Sequence, residues 1–404
     1  MNYKGFGEEL IGTDTWFSKL FGRFSQSDIE VESIGEIRLH TEIASSVREF
    51  WLDTLRLRRE TVLSEAEKDG KLIEVFVRDE DSLPALYVKE GNVERRTLFS
   101  GPSVALVGHE RIGGKLKVVH GLTNYAVRTF MNTRPYAIIE RYGYRNFVDS
   151  VNVSVLPTFV DESGEVGQTF RRHRTNVNEY PGAVGTIAGG FASRNPKIDL
   201  SKMSPFWAIQ KEMYEEGRLL PFLDIREYTE RGIIPPDSEV GFDELTDGSR
   251  IAYVMRSGQP RVRALLYDDA NLVCTGIITD IHPFAKDPTG AVKQFLKSEY
   301  VFLCRTGIPR KHYDEKDGQD IQKGWPVNDE HVDAYYFPFT VEGISQYVTG
   351  NHPELMGPTS AVITHSLMTF ERGGERIMDL VRDVGKHPLY NRVPSHIPFA
   401  SIRM

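Results

Sequence analysis

The chain has 404 residues, 40% hydrophobic and 26% charged, with 57 acids against 49 bases and a net charge of −8. This composition supports a sizeable buried core in roughly two or three units, or one domain with large additions, and it argues against general disorder. The acidic balance argues against a nucleic-acid binder, which carries a basic excess or patch, but leaves room for a small anionic substrate in a local basic pocket. Only two cysteines occur, Cys274 and Cys304, each inside an apolar stretch. They read as buried free thiols in a reducing compartment. The first residues contain no continuous apolar region, and no apolar run is long enough to span a bilayer. The expectation is a soluble, cytoplasmic protein with no membrane partner.

In chain order, residues 41–70 predict a long helix with Val47, Trp51, Leu55 and Leu57 partly on one side, ending near Gly70. From about 73 the period switches to short alternating runs, KLIEVFVRD, PALYVKEG, SVALVGHE and KLKVVHGLTNY, which predict strands. Residues 152–160, the turn 161–164 and residues 166–174 form a hairpin signal. AVGTIAGGF (183–191) is a further strand running into a double glycine. Ser204-Pro205 gives an N-cap followed by proline at the first helical position, and the helix runs from about 205 to 216 with Gly217 placed to stop it. Strands follow at 261–268, 271–281, 299–308 and 332–340. A long polar loop separates the last two, and a helix over about 360–384 comes after them. Mostly antiparallel strands with few helices make the fold class α+β.

The stretch that carries chemistry is AIQKEMYEEGRL (208–219). At about 3.6 residues per turn, Glu212, Glu215 and Glu216 fall on one arc of the helix, beside the core-facing Phe206, Ile209 and Met213. Like charges at these spacings repel, and the negative end of the helix dipole adds to the cost. Lys211 offsets part of this by pairing with Glu215. A hard divalent cation would offset more, since Mg²⁺ prefers oxygen ligands. The plain alternative is a charged helix end with all three acids in solvent.

These residues resemble the Nudix family of hydrolases, whose box is written G-x5-E-x7-R-E-U-x-E-E-x-G-U, with U a bulky aliphatic. Lys211-Glu212-Met213-Tyr214-Glu215-Glu216-Gly217-Arg218-Leu219 follows its second half in order. Lys211 replaces the arginine. Arg218 replaces the late glycine, and a glycine stands one place early at Gly217. Upstream, a strand, a turn, an arginine-bearing strand, Tyr180-Pro181-Gly182 and the strand ending in Gly189-Gly190 have the order common in the family. Counting the box spacing back from Lys211 lands on Lys197 and Met203. Gly189 or Gly190 therefore serves as the box glycine only if the loop 191–204 carries an insertion, and Asp199 is the only acid in that loop.

The resemblance implies an α/β/α sandwich with a mixed sheet over 151–385. A partly helical extension (1–90) and flanking strands (91–150) precede it, and an irregular tail (386–404) follows. It implies hydrolysis of a phosphoanhydride, typically a nucleoside diphosphate linked to another group, or else a module that keeps the fold and binds nucleotide without turnover. Glu212, Glu215, Glu216 and the carbonyl of Gly190 would hold Mg²⁺ or Mn²⁺, with Glu212 and Glu216 acting in catalysis. Arg172 and Arg174 would contact the substrate, a small phosphorylated molecule. Asp280, Glu299 and Asp199 are candidates for a base from outside the box. The extension would be a lid, a dimerisation element making a homodimer, or a substrate-selecting addition. His282, His312 and His331 lack zinc-ligand spacing with the cysteines.

Overall fold

The computed structural model describes residues 16–80, 83–133, 135–143, 146–172, 182–190, 198–259, 261–283, 294–314, 331–351 and 354–370. The elements run β1 (Trp16–Phe24), β2 (Ile29–Glu36), α1 (Thr41–Lys68), β3 (Glu74–Arg78), β4 (Ala85–Glu90), β5 (Val93–Leu98), β6 (Pro102–Ile112), β7 (Lys115–Asn124), α2 (Tyr125–Thr133) and α3 (Pro135–Tyr142). Next come β8 (Val151–Asp161), β9 (Gly164–Arg172), β10 (Val184–Gly185), β11 (Ile187–Gly190), α4 (Pro205–Gly217), β12 (Leu219–Pro221), α5 (Ile225–Glu230), β13 (Ser238–Glu244), β14 (Arg250–Arg256) and β15 (Val262–Tyr267). The series closes with β16 (Leu272–Pro283), β17 (Gln294–Pro309), α6 (Arg310–Asp314), β18 (His331–Pro338), α7 (Val341–Asn351) and α8 (Gly357–Ser366).

The architecture is mixed α+β. The principal sheet has eight strands in the order β1-β16-β17-β8-β9-β10, with β11 paired to β8 and β18 to β9. Only β17 and β8 run parallel within it. Smaller sheets are β12-β15-β14-β13, β2-β7-β6 and β3-β4-β5. β1 forms the edge of the principal sheet by pairing with β16, so part of the N-terminal extension belongs to that sheet.

Helices lie on both faces of the principal sheet, because its central strands are apolar on both sides. On one face Phe206, Ile209 and Met213 of α4 pack with Val151, Val153, Val155, Tyr300, Phe302 and Cys304. The Phe206 and Phe302 rings meet edge to face at 5.1 Å. On the other face Ala361, Val362 and Ile363 of α8 and Ile344 and Val348 of α7 cover Leu156, Val273, Ile278, Val301 and Leu303. A third cluster sits under α1, where Ile43, Val47, Trp51 and Leu55 recur every fourth residue and pack against α2, β3 and β4. The Trp51 indole N–H donates to the Pro84 carbonyl at 2.7 Å. Leu57, expected on this side, is exposed. It falls two residues after Leu55, about 200° round the helix and off the seam. Both cysteines are buried and free. Among the described residues no helix is long and apolar enough to cross a membrane. The helix expected over about 360–384 is matched only at its start, since α8 ends at Ser366, and residues beyond 370 lie outside the described ones.

Two buried histidines join the layers. His120 on β7 shares a 2.9 Å hydrogen bond with the Tyr300 hydroxyl on β17, and His365 at the end of α8 lies against Gly276 of β16. Burial pushes each imidazole down to about 3. A free imidazole titrates near ~6.5, so both are neutral in the fold and gain protons on unfolding below that pH. Their stabilising effect is complete above about pH 6.5 and is lost as pH falls towards 3. Urea denaturation is expected to show about 1–2 kcal/mol less stability per imidazole at pH 5 than at pH 7. A flat profile over that range would contradict the assignment.

Candidate functional site

α4 begins as its sequence dictates. Ser204 is the N-cap, and its Oγ accepts from the Phe206 N–H at 3.2 Å with proline at the first turn. Its end differs from expectation. Gly217 is still helical, and the left-handed residue is Arg218, with φ 51° and ψ 35°. A Cβ at Gly217 would lie 2.6 Å from Cδ1 of Ile187 on β11, so the end of that side chain would have to shift to admit one. Arg218 is the only non-glycine with positive φ among the described residues. A left-handed L-residue costs roughly 1–2 kcal/mol relative to glycine.

The acids are not a solvated helix end. Glu212 is buried and Glu215 and Glu216 are half-buried. The Lys211 ammonium stands 3.0 Å from Glu212 Oε1 and 2.8 Å from Glu215 Oε2, with only 8% of the lysine side chain exposed. Burial alone would lower the lysine pKa, but the two carboxylates outweigh it and hold it above its ordinary value. The arc therefore already holds one cation. α4 packs on β11, whose Gly190 backbone pairs with Asn152 of β8.

The other expected residues are dispersed. β9 ends at Arg172, which lies beside Met356 with Nη1 to Sδ at 4.0 Å. Arg171 is tied into the framework by the Tyr335 hydroxyl at 2.8 Å, the Gly182 carbonyl at 3.1 Å and Glu354 at 2.8 Å. Arg174 lies outside the described residues. Asp199 is exposed and 3.7 Å from Lys202. Asp280 and Glu299 do not suit a base for α4. Glu299 is in register with Asn152 and Ile278, and Asp280 with Lys297. Partners in register share a face of the sheet, and Ile278 belongs to the α8 side. Both acids thus face away from α4.

That opposite face carries a constellation that motif spacing does not single out. Asn152, Asp280, Lys297 and Glu299 sit side by side on three adjacent strands at 5%, 0%, 4% and 1% exposure. The Lys297 ammonium is 3.7 Å from Glu299 Oε2. The Asn152 amide, turned with its oxygen towards Lys297, accepts from Nζ at 2.8 Å and donates to the Val151 carbonyl at 3.1 Å. Its signal lies in QFLKSEYVFLC (294–304), where Lys297 and Glu299, two apart and so neighbours on one face, interrupt an apolar run.

No protein-family model matches the chain, and no curated protein matches it. Among the described residues no three His, Cys, Asp or Glu side chains are gathered to hold a metal ion. In kind, however, the α4 donors suit a hard divalent cation: they are carboxylate oxygens, and two of them already converge on an ammonium. Mg²⁺ keeps several waters and is often bound through one or two carboxylates with substrate phosphates, so the missing ligands need not come from protein.

Proposed function

We propose that the chain is a Nudix-type, metal-dependent hydrolase of a phosphoanhydride, acting on a nucleoside diphosphate derivative or a related small diphosphate. The observation that carries this reading is the end of α4. Glu212, Glu215 and Glu216 precede a residue in the left-handed conformation, Arg218, at the position where the Nudix box has glycine. Helices on both faces of a mixed sheet support the same reading.

In this reading Glu212, Glu215, Glu216 and the Gly190 carbonyl hold Mg²⁺ or Mn²⁺. Such an ion, when bound, would supply positive charge against the phosphates and a more acidic water. Lys211 fixes the rotamers of Glu212 and Glu215. Glu212 orients the attacking water and Glu216 is the principal metal ligand. Arg172 and Arg174 meet phosphate oxygens through their planar guanidinium groups. The substrate is a small phosphorylated molecule of the cytoplasm, and neither nucleic acid nor membrane is required.

The second reading is a Nudix-like module that binds nucleotide without turnover. The commitment of Glu212 and Glu215 to Lys211 favours it. A hydrolysis screen over nucleoside diphosphate derivatives and dinucleoside polyphosphates separates the two. Turnover with Mg²⁺ or Mn²⁺ that stops with chelator is expected for the hydrolase, and none on any compound for the binding module.

A further inference from the structure

On the face of the principal sheet opposite α4, a lysine and an asparagine amide are held together out of water. The parallel register of β8 and β17 sets Glu299 opposite Asn152, and Lys297 lies one step back along the same face. The Lys297 Nζ is 2.8 Å from the Asn152 amide oxygen and 3.7 Å from Glu299 Oε2. A carbonyl bond is about 1.2 Å long, so Nζ lies within about 4 Å of the amide carbon. All three residues are almost fully buried. An amine, an amide carbon in its reach and a carboxylate to carry protons are the parts that an amide exchange needs.

We propose that Lys297 and Asn152 join through an isopeptide bond, with Glu299 as the proton carrier. The structure shows the three groups before the bond forms. Glu299 takes a proton from the ammonium, which removes both charges and frees the lone pair on Nζ. Rotation about the last carbon–carbon bonds of the lysine brings Nζ from the amide oxygen to the face of Cγ. The Nζ–Cγ bond then forms as the Cγ–Nδ2 bond breaks. Glu299 passes its proton to the departing Nδ2 and takes a second from Nζ, which keeps the third. One ammonia is released, and the products are a secondary amide and a neutral carboxylic acid. Burial helps twice: low polarity favours the uncharged amine over the ammonium, and it keeps away water, the competing nucleophile. The products also suit the site, because an amide and a neutral acid cost less to bury than an ion pair. The proposal stands apart from the reading of α4, which lies on the other face of the sheet.

The test is the intact mass of the denatured full chain, followed by mapping of its tryptic peptides. Wild type is expected to be lighter than its sequence by one ammonia. Its digest should hold residues 146–171 joined to residues 294–305, uncut at Lys297. Lys297→Arg is expected to keep the full mass of its sequence. Glu299→Gln is expected to form the link at least about a hundredfold more slowly, the scale of help from a placed acid or base. Wild type alone decides whether the bond exists, so the result does not depend on a variant folding. Wild type at its full sequence mass would overturn the proposal and leave the group as a buried ion pair. Loss of ammonia with the two peptides separate would overturn it too, since ring closure at an asparagine gives the same mass. Linkage at the wild-type rate in Glu299→Gln would overturn the proton route.

Discussion

Replacing Lys297 by methionine is expected to destabilise the fold by about 3–5 kcal/mol, the range for removing one partner from a buried charge group. The lysine lies on the α8 side of the principal sheet with Asp280 and Glu299 beside it, and all three are almost fully buried. Its ammonium stands 3.7 Å from Glu299, and the Asn152 amide oxygen accepts from it. Methionine fills much of the volume but removes the ammonium that Glu299 faces in a setting of low polarity, where losing one partner of a buried charge group is costly. The shift in urea midpoint measures the loss. Adding Glu299→Gln to Lys297→Met should recover part of it, because the carboxylate that faced the ammonium is then neutral. A single-variant loss below about 1 kcal/mol would mean that water reaches this row and screens it.

Lys211→Met is the second large effect, and it bears on function. The buried ammonium bridges Glu212 and Glu215, and without it two carboxylates one turn apart repel each other near the negative end of α4. A loss of about 2–4 kcal/mol is expected. This lies below the figure for a fully buried group because 37% of the Glu215 side chain is exposed, which discounts its share for solvent screening. If the arc suits a hard cation, Mn²⁺ should take over the role of the ammonium. The melting temperature of Lys211→Met should then rise with Mn²⁺ by more than that of wild type, through mass action on the folded state. Equal shifts in the two proteins would show that the carboxylates do not converge on a metal.

Much of the frame is legible in the amino-acid sequence. Ser204-Pro205 marks the start of α4, and the spacing of Phe206, Ile209 and Met213 marks its core face. The hairpin of β8 and β9, and the strands β16 and β17, stand out as alternating or continuous apolar runs bounded by turns. Elements held in place by tertiary partners are not legible. β13 and β14 pair residue for residue from Ser238–Arg256 to Glu244–Arg250, but β13 is partly or fully exposed along its length and gives little hydrophobic signal. The helices α2 and α3 are short, and packing under α1 defines them more than propensity does. β1 is a sheet edge only through its pairing with β16.

The site shows the same division. The acidic arc and the Lys211–Glu215 pair follow from helical spacing alone. Gly217 reads locally as the helix stop, yet it is still helical, and a Cβ there would meet the methyl end of Ile187, thirty positions away. The stop then falls to Arg218 at a cost in strain that local sequence does not reveal. Asp280 and Glu299 are acids on strands, and only sheet register assigns them to the face opposite α4. Long-range contacts decide these points, and one chain read by itself does not encode them locally.

The claim that α4 carries the chemistry is tested most directly by turnover of wild type against Glu216→Gln on the best substrate from the hydrolysis screen, with Mg²⁺ at saturation. Loss of at least about a hundredfold in kcat is expected from the variant, the scale seen when a group stabilising transition-state charge is removed, with an unchanged melting temperature showing that the fold is intact. Wild-type turnover that survives in Glu216→Gln would place the chemistry elsewhere on the chain and reduce the acidic arc to a structural feature of the helix end.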